Sequence, residues 1–218
     1  MDKILYPNQL EYLASFRSNE DQLIKEIESF AKVNKIPILD WKAAEFLELI
    51  VRMVKPKRVL EIGTAIAYTS IRIAKNLKKK GIVDTIEKSL DNFSIATEYI
   101  NKAGYNSSIN IIQGDALTVM PSLEKKYDLI FLDADKQDYE KLFYYSIMLL
   151  KKGGILFVDN LLWHGFAASS KVPPEYKNST NIIREFNKLF VNHSALKSSI
   201  LPIGDGIGIG IKMENENI

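Results

Sequence analysis

Five acids give this chain its chemistry: Glu61, Glu87, Asp115, Asp133 and Asp159 each close, or nearly close, a short apolar run. A carboxylate in such a place can accept from hydroxyls, attract an ammonium or a sulfonium, or share a hard cation with other oxygens. It repels phosphate. The rest of the chain agrees, because it contains neither G-x-G-x-x-G nor G-x-x-x-x-G-K-[ST], so no pyrophosphate cradle or Walker-type loop is indicated. Any one of these acids also reads as the cap of the helix that follows its strand. All five together, with no basic residue expected among them, read as one ligand crevice.

The elements that must position them follow from the periodicity. Strands are predicted at 58–63, 82–87, 109–113, 127–132 and 155–158, each followed by a helical stretch. Those helices are predicted from Tyr68 to Lys79, from a Ser89 cap to Ala103 before Gly104, from Tyr139 to Leu150 and from Asn181 to Val191. Residues 198–203 and 207–213 flank Gly204-Asp205-Gly206 and read as a hairpin. The fold class is therefore α/β: a Rossmann-like, doubly wound, seven-stranded and mostly parallel sheet with a C-terminal antiparallel hairpin. In a parallel sheet every carboxyl end lies on one edge, so the five acids converge there.

Residues 1–55 read as a helical lead-in to a core at 56–213, the whole being one domain over 1–218. Leu23, Ile24, Ile27, Phe30 and Ala31 share one helical face behind a cap at Ser18 or Asn19. Asp40 caps a second helix with a buried stripe of Ala44, Leu47, Ile50, Val51 and Val54, ended by Lys55-Pro56. This lead-in is expected to cover the crevice or a partner subunit.

With 218 residues, 46% hydrophobic and 26% charged, the chain suits one globular domain that buries about 70% of its unfolded surface. The absence of cysteine excludes disulfides, thiolate metal sites and cysteine nucleophiles, and with only His164 and His193 any metal would sit on oxygens. No signal peptide or membrane span is visible, so no membrane association and a cytoplasmic location are expected. A net charge of +2 announces no nucleic-acid partner.

The order Glu61-x-Gly63, Glu87, Gly114-Asp115-Ala116 and Asp133 resembles the class I S-adenosylmethionine methyltransferases. Asp133-Ala134-Asp135-Lys136 with Asp159-Asn160, and the Gly204-Asp205-Gly206 hairpin, narrow the resemblance to metal-dependent O-methyltransferases of the catechol and caffeoyl-CoA type. It spans about residues 36–212. Through E-I-G-T-A-I and V-D-N-L-L-W-x-G it looks nearest to bacterial enzymes that methylate 5-hydroxyuridine at the tRNA wobble position.

The resemblance implies S-adenosylmethionine as cofactor, with Glu87 on the ribose hydroxyls and Asp115 and Ala116 on the adenine. Ile38, Glu61, Gly63, Tyr68, Thr69 and Asp133 complete the cofactor set, with Glu61, Gly63 and Thr69 or Ser70 at the methionine portion and Tyr68 near the sulfonium. Asp133, Asp159 and Asn160 would ligate Mg²⁺ or another divalent cation, and Lys136 would take the substrate proton or hold the oxyanion. A homodimer is implied, with the helical N-terminus as its natural interface.

One departure is Ala67, where relatives usually carry glycine; it motivates an alternative, a cofactor-binding protein without turnover. His164 stands where many relatives have arginine and reads as a loop residue, while Trp41 and Trp163 are candidate pocket walls. The acceptor is expected to be tRNA, with phosphate contacts from Lys75, Lys78, Lys79, Lys80, Lys151 and Lys152, or alternatively a small catechol-like or caffeoyl-CoA-like molecule with two vicinal oxygens.

Overall fold

The computed structural model describes residues 5–19 and 21–214. Its strands are β1 (Arg58–Ile62), β2 (Ile82–Glu87), β3 (Ile109–Gln113), β4 (Tyr127–Leu132), β5 (Leu150–Val158), β6 (Leu196–Leu201) and β7 (Ile207–Lys212). They form one sheet in the order β3-β2-β1-β4-β5-β7-β6, in which β1 to β5 run parallel and β7 pairs antiparallel with both β5 and β6. The chain leaves β1 toward β2 on one side, while β4 continues toward β5 on the other. The gap between β1 and β4 is thus the switch point at which such sheets open a crevice.

The helices are α1 (Pro7–Ala14), α2 (Gln22–Asn34), α3 (Trp41–Val54), α4 (Tyr68–Asn76), α5 (Leu90–Ala103), α6 (Ala116–Val119), α7 (Tyr139–Leu149) and α8 (Lys177–Asn192). Alternating strand residues feed two cores, as a pleated sheet covered on both faces requires. Val59, Leu129 and Ile155 pack with α2 to α5 on one face, and Leu60, Ile130 and Leu156 pack with α7 and α8 on the other.

Several boundaries differ from expectation. The cap of α2 is Asp21, which accepts from Leu23 N at 2.8 Å, rather than Ser18 or Asn19. Asp40 caps α3 as its position suggests, accepting from Lys42 N at 2.9 Å, but Val54 at the far end is exposed. Helix α4 stops at Asn76, where Leu77 turns extended. Strand β5 begins at Leu150 rather than Ile155: Gly153 and Gly154 are absorbed in an irregularity where the register with β4 shifts. Helix α8 starts four residues early, at Lys177. The lead-in packs mainly on α4 and the sheet, and among its described residues only Pro37 and Ile38 reach the crevice wall. Among the described residues no helix is long and apolar enough to cross a membrane.

Candidate active site

A cavity of about 480 Å³ opens at the carboxyl edge of the sheet, around the switch point. Glu87, Asp115 and Ala116 line it on the β2–β3 side, and Asp133, Lys136, Asp159, Asn160 and Trp163 line it on the β4–β5 side. Gly63 and Ile38 line it as well. Basic side chains do enter this edge, contrary to expectation: Lys88 lines the same cavity and pairs with Asp135, and Lys136 lies among the acids.

On the β2–β3 side both carboxylate oxygens of Glu87 are used by backbone: Oε2 accepts from Ala65 N and Oε1 from Ser89 N, each at 2.8 Å. These bonds fix the carboxylate while leaving lone pairs for a ligand. Asp115 has the bland role as well, since its Oδ1 caps α6 by accepting from Leu117 N at 2.8 Å.

The β4–β5 side concentrates oxygen donors around one cation. Lys136 Nζ donates to Asn160 Oδ1 at 2.7 Å, to Asp133 Oδ1 at 3.1 Å and to the Ala134 carbonyl at 3.1 Å, and lies 2.5 Å from Tyr139 Oη. Asp159 lies deeper, 4% exposed, and accepts from Asn160 N at 2.7 Å. Burial, and then the neighbouring Asp133, push its carboxyl well above the usual carboxylate range. Two crowded carboxyls beside an amide oxygen form a hard donor set short of positive charge, which the ammonium answers only in part. That chemistry fits a divalent cation. The third donor is an amide, so the set contains fewer than three acids; among the described residues no group of three His, Cys, Asp or Glu side chains is placed to hold a metal.

Three of the expected cofactor residues stand outside the cavity wall. Tyr68 is buried and turned toward the lead-in, where its hydroxyl donates to Glu28 Oε1 at 2.7 Å and accepts from Arg72 Nη1 at 3.1 Å. It opens α4, whose first turn faces the α2–α3 layer, and its ring does not line the cavity. Thr69, only 6% exposed, is packed in the same turn. Glu61 is fully buried within β1, held at Oε2 by the Ser70 and Thr85 hydroxyls, and burial pushes its carboxyl up to about 8. Its Oε1 is buried without a hydrogen-bond partner, which leaves an acceptor free two residues before Gly63. Gly63 has a reason of its own: at φ +99, a Cβ there would sit 1.9 Å from the Asp133 carbonyl oxygen. The close approach it permits is between β1 and β4.

Two residues that belong to the site were not singled out as such by the sequence reading. Tyr139 is fully buried, touches Lys136 and donates to the Asp159 carbonyl at 3.1 Å. A signal for it existed, one turn after the Asp-Ala-Asp-Lys run. Asp205 Oδ1 accepts from His164 N at 2.6 Å, and its Oδ2 accepts from Asn160 Nδ2 at 3.4 Å. His164 lines the cavity at half exposure, beside Trp163, whose Nε1 donates to Ser179 Oγ at 3.1 Å. Trp41 lies away from the crevice, under the Arg17 guanidinium.

Known proteins show the same arrangement of chain. A caffeoyl-CoA O-methyltransferase of Populus kitakamiensis is 30% identical over 210 residues, covering 93% of this chain and 86% of that one. A Staphylococcus aureus structure assigned as a caffeoyl-CoA O-methyltransferase superposes with a TM-score of 0.87 at 30% identity, covering 93% of this chain and 98% of that one. An O-methyltransferase from Bacillus cereus, solved with SAH, superposes with a TM-score of 0.80 at 26% identity over 93% of this chain and 96% of its own. The profile of the O-methyltransferase family matches residues 14–213, nearly the whole chain, and the protein therefore belongs to the S-adenosylmethionine-dependent O-methyltransferases.

Proposed function

We propose that this enzyme methylates a hydroxyl of a small molecule carrying two adjacent oxygens, catechol-like or caffeoyl-CoA-like, with a divalent cation held by Asp133, Asp159 and Asn160. The observation that carries the proposal is the cluster of Asp133 Oδ1 and Asn160 Oδ1 around Lys136, beside buried Asp159. When bound, S-adenosylmethionine supplies the electrophilic methyl group and the cation supplies charge that acidifies a chelating hydroxyl. Glu87, its carboxylate preset by Ala65 N and Ser89 N, would hold the ribose hydroxyls, with Asp115 and Ala116 at the base. Lys136, placed against Asn160 Oδ1 and Asp133 Oδ1, would hold the developing oxyanion. Tyr139 keeps it aimed. Trp163 and His164 wall the acceptor side.

The tRNA reading finds no support in the relatives named above, and the lysines invoked for it lie elsewhere. Lys78 to Lys80 precede β2, and Lys151 and Lys152 open β5, so all sit at the amino edge of the parallel strands, opposite the crevice. Lys75 and Lys151 are paired with Asp21 and Asp128. Ala67, the motive for a protein without turnover, is fully buried at φ +65 and does not line the cavity.

The test is transfer of labelled methyl from S-adenosylmethionine to caffeoyl-CoA, to a simple catechol and to hydroxyuridine-bearing tRNA, each with and without chelator. Chelator-sensitive transfer to a small diol is the expected result. Transfer to tRNA alone would overturn the substrate class, and transfer indifferent to chelator would overturn the cation.

A further inference from the structure

The loop after β5 holds an unusual backbone. Asn160, Trp163 and His164 all adopt positive φ, at 64°, 48° and 56°, without being glycine. Such residues persist only where their surroundings over-determine them. Here the surroundings are the turn between β6 and β7. Leu161 N donates to the Gly206 carbonyl at 2.9 Å and Leu162 N to the Asp205 carbonyl at 2.8 Å, while His164 N donates to Asp205 Oδ1 at 2.6 Å. A Cβ on Gly206 would come within 2.6 Å of Leu162 N, so the two segments are in close contact. The turn itself is backed by α3: a Cβ on Gly204 would stand 3.0 Å from Asp40 Cβ.

One contact of this clamp reaches the chemistry. The Asn160 amide has an oxygen that accepts and a nitrogen that only donates. Its Oδ1 faces Lys136 at 2.7 Å, and its Nδ2 faces Asp205 Oδ2 at 3.4 Å. A carboxylate can only accept, so its presence on that side selects the orientation that turns the oxygen inward. With the amide reversed, nitrogen would face both the ammonium and any cation.

We infer that Asp205 is a positioning residue, which clamps the 160–164 loop and sets the Asn160 amide with its oxygen toward Asp133 and Lys136. The orientational half rests on the proposed cation site; the clamp does not. Partners of this kind behind a ligand are typically worth about 10- to 100-fold in metal affinity.

Two variants and two readouts separate the parts. Hydrogen exchange of the 160–166 segment is measured in the cofactor-free protein, and Mn²⁺ affinity by electron paramagnetic resonance of the free ion. Asp205→Ala is expected to speed exchange in the segment and weaken Mn²⁺ about tenfold. Asp205→Asn can still accept from His164 N, so exchange should stay near wild type. Its amide then offers a donor to Asn160, and Mn²⁺ should still weaken. Unchanged exchange in Asp205→Ala overturns the clamp whatever the metal result. Wild-type Mn²⁺ affinity in Asp205→Asn overturns the orientation. Should the wild-type protein bind no Mn²⁺, the cation in the proposed function falls and the orientational half with it, while exchange still decides the clamp.

Discussion

The Lys136 ammonium donates to Asn160 Oδ1 at 2.7 Å, joining the segment after β4 to the segment after β5 across the acceptor side of the crevice. The same oxygen, with Asp133 Oδ1, is what a divalent cation would use, so ammonium and cation compete electrostatically for one donor set. Lys136→Met is therefore expected to move two readouts in opposite directions. Mn²⁺ should bind the cofactor-free variant more tightly than wild type, while single-turnover methyl transfer falls by about 10²- to 10³-fold. A variant that loses both together would mean that the lysine supports the site only as scaffold.

Tyr68→Phe tests the placement of that ring. Its hydroxyl bridges Glu28 and Arg72 inside the layer of lead-in helices, where Arg72 also pairs with Glu48. Removing a buried hydroxyl bonded to charged partners should cost about 1–3 kcal/mol in denaturant titration. SAH affinity, measured calorimetrically, should stay near wild type. Normal stability with weakened SAH would return Tyr68 to the cofactor.

Much of this molecule is legible in its order of residues, and the illegible parts share a cause. The alternation of apolar runs with helical stretches places Glu87, Asp115, Asp133 and Asp159 on one edge, because parallel strands leave no other choice. Alternation along a strand does not say which way a particular end residue points. Glu61, one residue short of the end of β1, turns beneath α4 to Ser70 and Thr85, and Tyr68 turns away with it. Asp205 was out of reach for another reason: it meets Asn160 across 45 residues of chain, and only the β5–β7 pairing brings them together.

Gly63→Ala separates two reasons for a glycine. A Cβ at that φ of +99 would lie 1.9 Å from the Asp133 carbonyl oxygen, so the alanine must displace the end of β4. The expected cost is at least about 3 kcal/mol, seen in the unfolding of the cofactor-free protein, since no flexible side chain can give way. A variant of normal stability that binds SAH weakly would show that the glycine serves the cofactor instead.

Glu61 gives the fold a pH dependence whose sign is fixed by the direction of its shift. Burial raises its carboxyl from 4.5 to about 8, with Asp133 and Glu87 adding repulsion. Below about 4.5 both folded and unfolded states hold the proton, and the group costs nothing. Between 4.5 and about 8 the unfolded chain releases its proton while the folded state keeps it, so stability falls as pH rises through this window. Above it both states are ionised and the loss is complete. Glu61→Gln keeps the shape and removes the titration. Urea midpoints of the two proteins, taken without cofactor from pH 5 to pH 9, should therefore diverge in favour of the variant as pH rises toward 8. Parallel curves would mean that Glu61 is already ionised in the folded protein at neutral pH. Its unpartnered oxygen would then carry a buried charge before any ligand arrives.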